Sequence, residues 1–342
     1  MGALLEPVTT GNGLTLRNRV VMAALTRNRC VDSLKPGPAQ VKYYSDRARD
    51  GPGIIVSEAI LVDWAGTDWK HAPVMIANEH AEAWGIVVDA VHKEGALMFF
   101  QAWHGHTNNV KAIENPRDLI EMYRRSVLLA KKAGFDGIEL SCSGHANKRT
   151  DAYGGSVDNR CRFILELVDK VSKDFGGPEF IGVKICPTDT LNDSMVTFDE
   201  MQETYTYLIK ALVDRKVGFI TICRRGADIG IETELSSSRP EGFLLPPGYD
   251  PVLDFGGLIK FPGSTTVLMV NQDYGIEKAN QLVKEGKIDL LQIGRPFIYN
   301  PDLVTRIRKG VPFAKNDRGG SVYYGPYRTP DKNYNDWPSA TA

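Results

Sequence analysis

The 342-residue sequence carries almost no net charge, because 41 Lys and Arg residues are balanced by 42 Asp and Glu residues. Without a clustered basic excess, the composition does not favour binding to nucleic acid or to a membrane surface. No run of apolar residues is long enough to span a bilayer, and the N-terminal segment MGALLEPVTTGNG lacks the basic and then apolar pattern of a signal peptide. We therefore expect a cytoplasmic protein.

Cysteine is also scarce. The five cysteines are Cys30, Cys142, Cys161, Cys186 and Cys223. An odd number of cysteines without metal-ligand spacing argues against a disulfide framework or a zinc site. Three of them, at positions 30, 142 and 223, lie near predicted strand ends, but a free cysteine usually packs as a small buried hydrophobic residue.

No internal repeat and no Ser-, Gly- or Pro-rich linker divides the chain, so we expect one domain over residues 1–342. Short apolar runs alternate with amphipathic helical stretches. Eight runs read as strands: RVVMAAL, GIIVSEAIL, ALMFFQAW, GIELSCS, FIGVKICP, GFITICR, TVLMVNQ and LLQIGRP. Strands that are apolar throughout suit a parallel sheet that is covered on both faces.

This order of eight strand and helix units predicts a (β/α)8 TIM barrel of the α/β class, with its active site at the C-terminal ends of the strands, here called the mouth. A doubly wound open sheet is the alternative, but it would normally place a Gly-rich turn after the first strand, and MAALTRNRC has none. The preceding segment TTGNGLTLRNR predicts a hairpin that caps the N-terminal end of the barrel.

Polar side chains at the predicted strand ends form the candidate site. They are Thr26, Ser57, Glu58, Gln101, His104, Ser141, Lys184, Arg224, Arg225, Asn271 and Arg295. The set lacks a cluster of carboxylates or histidines fit for a metal, and it suits an anionic cofactor with a hydrogen-bonding heterocycle. Gly294 and Arg295 follow the last strand, where barrels commonly bind a phosphate.

Six segments between about Pro7 and Pro338 carry a specific resemblance. They are NGLTLRNRVVMAALTRNR, YYSDRARDGPGIIVSEAI, LMFFQAWHGH, AGFDGIEL, NKRTDAYGGSVDNRCRF and IGRPFIYNPDLVTRIRKG. In this order they resemble the old yellow enzyme family of FMN-dependent ene-reductases. The resemblance implies a flavoenzyme that uses NADPH or NADH to act on a small molecule in which an alkene is conjugated to a carbonyl. It leaves the oligomeric state open between monomer and homodimer.

The resemblance also implies contacts between individual residues and FMN. Thr26 matches the residue that hydrogen-bonds the flavin near its C4 carbonyl, although alone it also reads as an ordinary β-branched strand residue. Ala59 and Gln101 match contacts to the pyrimidine edge. Lys184 stands where the family usually has arginine, facing flavin N1, so it keeps the cation and loses the bidentate fork. The other cofactor-binding candidates are Ala24, Asn271, Gly294 and Arg295.

The phosphate end departs from the family pattern. Relatives usually have a Gly-Gly pair after the seventh strand, so that backbone amides can approach the phosphate. This chain has Gln272 and Asp273 there, and Asp273 would repel a phosphate if it pointed inward. Because Arg295 is kept, FMN is still the expected cofactor.

The substrate end departs further. At the end of the fourth strand, relatives carry a His and, three residues later, a His or Asn, and both donate hydrogen bonds to the substrate carbonyl; here these residues are Ser141 and Gly144. Ser141 can still donate one bond, and His145 is either a substitute donor or a loop residue. The tyrosine that delivers the α-proton in relatives is missing, and a second shortening follows WHGHTNNV. Tyr334 matches a C-terminal tyrosine that relatives place over the flavin, and otherwise reads as a tail aromatic.

The catalytic candidates are therefore Ser141, His145 and Tyr334. Their departure from the family pattern predicts an altered substrate activation, which fits a tailoring step in biosynthesis. Flavin-dependent oxidation and redox-neutral double-bond isomerisation stay open. A degenerate flavin-binding barrel without efficient catalysis is the alternative. Relaxed cofactor binding should have eroded the retained residues first, which are Thr26, Gln101, Lys184 and Arg295.

Overall fold

The computed structural model describes residues 2–11, 13–64, 69–105, 113–143, 147–190, 194–225, 239–325 and 329–340. Eight parallel strands form a ring: β3 (Val20–Met22), β4 (Ile54–Val56), β6 (Leu97–Trp103), β7 (Gly137–Ser143), β8 (Ile181–Cys186), β9 (Phe219–Cys223), β10 (Val267–Asn271) and β11 (Leu290–Ile293). The ring closes because β11 pairs with β3 and β4 pairs with β6. The short strand β5 (Ile60–Leu61) pairs beside the end of β6. The predicted barrel is confirmed.

Helices cover the outside of the barrel. They are α1 (Pro38–Asp50), α2 (Asn78–Lys93), α3 (Pro116–Lys132), α4 (Val157–Phe175), α5 (Phe198–Asp214), α6 (Pro251–Phe255), α7 (Ile276–Lys284), α8 (Pro296–Tyr299) and α9 (Leu303–Lys309). The helical periodicity of the sequence predicts helices over 38–50, 80–94, 115–133, 159–175, 198–215, 275–285 and 301–309. These match seven of the observed helices to within two residues at each end, and the short α6 and α8 were missed. Side-chain caps explain some boundaries: Asn115 accepts from the backbone N–H of Arg117 at the start of α3. Among the described ranges, no helix is both long and apolar enough to cross a membrane.

The predicted hairpin is also confirmed. It consists of β1 (Val8–Thr9) and β2 (Thr15–Leu16), which pair antiparallel ahead of the barrel. Leu16 is buried in the apolar cluster inside the barrel, where it joins Val21 and Ile54. The hairpin therefore seals the N-terminal end of the barrel, and the opposite end is left for ligands.

The barrel interior changes from apolar to polar toward the mouth. The rings of Phe99 and Phe219 lie 5.6 Å apart between centroids and fill the lower half. A Cβ on Gly137 or Gly182 would collide with these rings, so the two glycines make room for them. Because side chains on a strand alternate between faces, the inward residues two positions later lie nearer the mouth. These residues are Gln101, Glu139, Lys184 and Thr221.

Candidate active site

A buried polar layer crosses the barrel just below the mouth. It consists of Gln101, Glu139, Lys184, Thr221 and Gln292. Glu139 Oε1 accepts from Nε2 of Gln101 at 2.7 Å. Its Oε2 accepts from Nε2 of Gln292 at 3.0 Å and from Oγ1 of Thr221 at 3.2 Å. Three donors on one fully buried carboxyl group compensate for its lost hydration, so Glu139 joins four strands of the barrel.

Lys184 is the cation of the polar layer. Its Nζ donates to Oε1 of Gln292 at 3.2 Å, and the residue is half-buried. Burial acts to lower the pKa of Lys184, but the charges of Cys223 and Glu139 outweigh it, so the pKa lies above its ordinary value. The side chain is therefore a fixed positive charge at the mouth at neutral pH.

Two hydroxyl groups lie at the same end of the barrel. Ser141 lies opposite Lys184 in the register between β7 and β8, so the two side chains share the inner face of the barrel. Thr26 follows β3, and both Ser141 and Thr26 are half-buried. Within the part of the chain that the structure describes, neither hydroxyl has a hydrogen-bond partner, so both can bond to a ligand.

The remaining cofactor-binding candidates also follow or end barrel strands. Ala24, after β3, packs against the apolar cluster inside the barrel, and Ala59, after β4, is buried. Asn271 ends β10, and its Nδ2 donates to the backbone oxygen of Gln292 at 2.8 Å. Gly294 follows β11 and is half-buried. The structure thus brings these residues together at the mouth.

After β10, where the resemblance implies the phosphate, the backbone adopts a conformation that is typical of glycine. Gln272 and Asp273 have φ angles of 66° and 51°, the left-handed region that glycine adopts without strain. Asp273 Oδ2 lies 2.8 Å from Nε of Arg225, and the Asp273 side chain is 53% exposed. Its carboxylate is thus paired with a cation and directed to solvent. Arg295 lies nearby after β11, with its guanidinium 4.8 Å from the ring of Tyr323.

Tyr334 lies outside the barrel wall. It belongs to an outer cluster formed by Arg27, Tyr43, Arg47, Glu58 and Tyr334. Its ring stacks on that of Tyr43 at 4.1 Å, the Arg27 guanidinium lies 4.8 Å from its centroid, and the residue is 0% exposed. Burial raises the pKa of Tyr334 well above its ordinary value. A substrate cannot reach this hydroxyl without displacing Tyr43 or Arg27, so Tyr334 has no part in the mechanism proposed below.

Glu58 is the carboxyl group of the outer cluster. Its Oε2 accepts from the backbone N–H of Arg27 at 3.1 Å, and its Oε1 has no partner among the described residues. Burial raises the pKa of Glu58 to about 7, against the opposing effect of Arg27. The group is therefore poised to change its protonation near neutral pH, but it is closed off from solvent.

Two predicted positions, Gly144 and His145, lie outside the described residues. Sequence reasoning missed Glu139, Thr221 and Gln292, although Thr221 and Gln292 are each the one polar residue of their strand and Glu139 is the one charged residue of β7. That signal would have identified the polar layer. It also missed Tyr323 and Tyr324, which are half-buried and contact Arg295 and Trp69, respectively.

Comparison with known proteins gives a consistent result. The model of the NADH:flavin oxidoreductase / NADH oxidase family matches residues 3–118 and 111–314. A probable flavin mononucleotide-dependent alkene reductase of Leishmania infantum is 29% identical over 98% of this chain and 97% of the relative. 12-oxophytodienoate reductase 1 of Oryza sativa subsp. japonica is 31% identical over 98% of this chain and 92% of its own length. The structure of the old yellow enzyme homologue from Zymomonas mobilis superposes with a TM-score of 0.82 at 26% identity, over 98% of this chain and 99% of that one.

Proposed function

Because the chain belongs to the NADH:flavin oxidoreductase / NADH oxidase family of old yellow enzymes, and is an enzyme of that type, we propose that it binds FMN at the mouth. We assign it the NADPH- or NADH-dependent reduction of an alkene conjugated to a carbonyl. Its substrate activation differs from the family pattern, which suits a tailoring step in biosynthesis. Ser141 beside Lys184 is the observation that carries this proposal.

The residues at the mouth fit FMN in charge and in hydrogen bonding. Lys184 supplies a cation with N–H donors to spare, and Thr26 supplies an unpaired hydroxyl within the described chain. The left-handed turn at Gln272 and Asp273 follows β10, where the resemblance implies the phosphate, and Arg295 adds a forked cation after β11. When bound, FMN would supply the redox chemistry between the nicotinamide and the alkene.

Ser141 replaces a stronger pair of donors. Its hydroxyl donates one hydrogen bond to the substrate carbonyl oxygen and so favours negative charge on that oxygen. The Lys184 ammonium, opposite Ser141 in the strand register, adds a positive potential at the same point. One neutral donor beside a cation would activate the carbonyl less directionally than two side-chain donors, which is why we expect a substrate different from a simple enone.

The cofactor assignment is tested by titrating the purified chain with FMN and following flavin fluorescence and absorbance. We expect stoichiometric uptake, and weaker uptake by Arg295→Ala. A protein that stays colourless in excess FMN would overturn the proposal. The bound flavin should then be bleached anaerobically by NADPH or NADH and reoxidised by conjugated carbonyl compounds. Bleaching without reoxidation by any conjugated alkene would favour the barrel without efficient catalysis. Migration of the double bond without consumption of nicotinamide would favour the isomerase.

The role of Ser141 is tested by Ser141→Ala. We expect turnover of the conjugated substrate to fall, while the rate of flavin bleaching by the nicotinamide stays the same, since only the second step needs the carbonyl donor. Ser45→Ala, on the outer surface of α1, is the matched control and should change neither rate. Unaltered turnover in Ser141→Ala would show that another group holds the carbonyl.

A further inference from the structure

Two cysteines face each other across neighbouring barrel strands at the mouth. In the parallel register of β8 and β9, Lys184 pairs with Thr221 and Ile185 pairs with Ile222. Cys186 and Cys223 follow as the last residues of the two strands, and a hydrogen bond joins their side chains. Backbones of neighbouring strands lie about 4.8 Å apart. This separation falls within the Cα range of about 4.4–6.8 Å that a disulfide requires.

Both thiols point into the barrel. Cys186 lies two residues after Lys184, and Cys223 lies two residues after Thr221, and side chains two apart on a strand share a face. The Cys223 thiol donates to Oδ1 of Asn271 at 3.7 Å. Just past the pair, the hydroxyl of Thr188 donates to the backbone oxygen of Arg224 at 3.2 Å, so the two strand ends stay joined.

The electrostatic surroundings separate Cys223 from the other cysteines, because the hydrogen bond between the two thiols raises the pKa of Cys186 and lowers that of Cys223. A hydrogen bond from Cys186 and the positive charge of Lys184 lower the pKa of Cys223, although its burial acts the other way. In contrast, desolvation raises the pKa of Cys142 to about 11 and that of Cys161 to about 12. Because the thiolate is the reactive form, Cys223 is the most nucleophilic of these thiols, although Cys223 and Cys186 are both buried, with 1% and 3% of their surface exposed.

We propose that Cys186 and Cys223 form a reversible disulfide at the mouth of the barrel, with Cys223 as the attacking thiol and hydrogen peroxide as the oxidant. The Cys223 thiolate attacks a peroxide oxygen, the O–O bond breaks and hydroxide leaves, which gives a sulfenic acid and, after protonation, water. The Cys186 sulfur then attacks the Cys223 sulfur, the S–O bond breaks, and the thiol proton leaves in a second water. Overall, two thiols and one peroxide give one disulfide and two waters.

This chemistry changes the surroundings of Lys184. In the reduced form, the Cys223 thiolate is one of the charges that raise the pKa of that lysine. The disulfide carries no ionisable proton, so this contribution is removed when the bond forms. Oxidation of Cys186 and Cys223 thus changes the electrostatic surroundings of Lys184, with or without a bound cofactor.

The test counts thiols in the full chain, with and without added FMN. The native protein is treated with hydrogen peroxide, denatured, alkylated with N-ethylmaleimide and weighed intact. We expect the number of alkylated cysteines to fall from the five present in the chain to three, and to return to five after dithiothreitol. A non-reducing digest should contain a cross-linked peptide pair that includes residues 186 and 223. If all five thiols remain, or the cross-link joins other cysteines, the proposal is overturned.

Single substitutions assign the roles. Cys223→Ser should keep all four remaining thiols after peroxide, whereas Cys186→Ser should trap a sulfenic acid at Cys223 that reacts with dimedone. Cys142→Ser, on the neighbouring strand β7, is the matched control and should still lose two thiols. The same loss in Cys223→Ser would contradict the proposal. If a variant misfolds, the non-reducing digest of the wild-type protein still decides whether the disulfide forms. The thiol count does not depend on FMN binding, so a failure to bind FMN would not affect it.

Discussion

The polar layer inside the barrel and the outer cluster beyond its wall both bury charged side chains, but they differ in what lies above them. In the polar layer, Lys184 is half-buried at the mouth and the nearby hydroxyl of Ser141 has no partner among the described residues. In the outer cluster, Arg27 and Arg47 are fully buried and donate to backbone oxygens of the segments that follow β11. Buried charge alone therefore does not identify a functional site. A site is indicated where the charged group lies at an opening and neighbouring hydrogen-bond donors have no partner among the described residues.

The outer cluster has a structural task instead. Arg27 Nη2 donates to the backbone oxygens of Val322 and Asn333 at 3.0 and 2.9 Å. Arg47 donates in the same way to Phe297 and Ile298, both at 2.8 Å. These bonds hold the C-terminal segments against the barrel, and the stacked tyrosines fill the space between them.

The largest effect is expected from Glu139→Ala. This change leaves three buried donors of the polar layer without their acceptor and Lys184 without its nearby carboxyl group, so the free energy of unfolding should fall by about 3–5 kcal/mol. Denaturant unfolding of the two proteins measures it. A loss below about 1 kcal/mol would show that water replaces the carboxyl group and that the layer is already solvated.

Glu58→Gln tests the outer cluster through pH. The folded chain keeps a proton at Glu58 up to about pH 7, whereas the unfolded chain releases it near its ordinary pKa of 4.5. Stability from the neutral carboxyl group is thus complete below pH 4.5 and is lost as the pH rises through 7. Between pH 4.5 and 8, the wild type should lose about 3 kcal/mol relative to Glu58→Gln. The exposed control Glu79→Gln should show no such loss. If the free energy of unfolding changes with pH in the same way for wild type and Glu58→Gln, the Glu58 carboxyl group is not shielded from solvent as described.

Lys184→Ala tests the mouth directly. Removing the cation should slow anaerobic reduction of the bound flavin about 100-fold, equivalent to about 2.7 kcal/mol, because a preorganised charge at the reacting ring is lost. Stopped-flow absorbance measures the rate, and Lys184→Arg, which keeps the charge, should stay close to wild type. Unchanged kinetics in Lys184→Ala would remove the lysine from its proposed role.

The smallest effect is expected from Tyr334→Phe. Because its hydroxyl has no hydrogen-bond partner within the described residues, its removal should change the free energy of unfolding by less than about 0.5 kcal/mol and leave turnover unaltered. Tyr274→Phe is the contrasting control, since that hydroxyl donates to Asp250 at 2.7 Å and its loss should cost about 1.5 kcal/mol or more. A tenfold drop in turnover of Tyr334→Phe would restore the catalytic role suggested by the sequence.

The barrel could be predicted from the sequence because each strand is a short apolar run and each long helix has its own periodicity. What the sequence does not contain is which side chains meet across the barrel. Gln101 and Gln292 are far apart in the chain, yet both donate to Glu139. Cys186 and Cys223 become neighbours only once the register of β8 and β9 is known.

Tyr334 shows a different limit. A motif match can align an aromatic residue with a functional one, but it does not report which side of the barrel wall the ring occupies. Here the stacking with Tyr43 and the nearby arginines determine its place. The half-buried Tyr323 and Tyr324, only a short distance earlier in the chain, lacked a pattern that would distinguish them.

At Gln272 and Asp273, two residues other than glycine adopt a left-handed backbone conformation that glycine prefers. Each of the two residues gives up about 1–2 kcal/mol by adopting the left-handed form. Neighbouring groups supply the compensation: the backbone N–H of Arg225 donates to Oε1 of Gln272, and Nη1 of Arg224 donates to the backbone oxygen of Asp273 at 3.1 Å. The residues that follow β9 thus stabilise the conformation of this turn. A pair of glycines would adopt the same conformation without these hydrogen bonds.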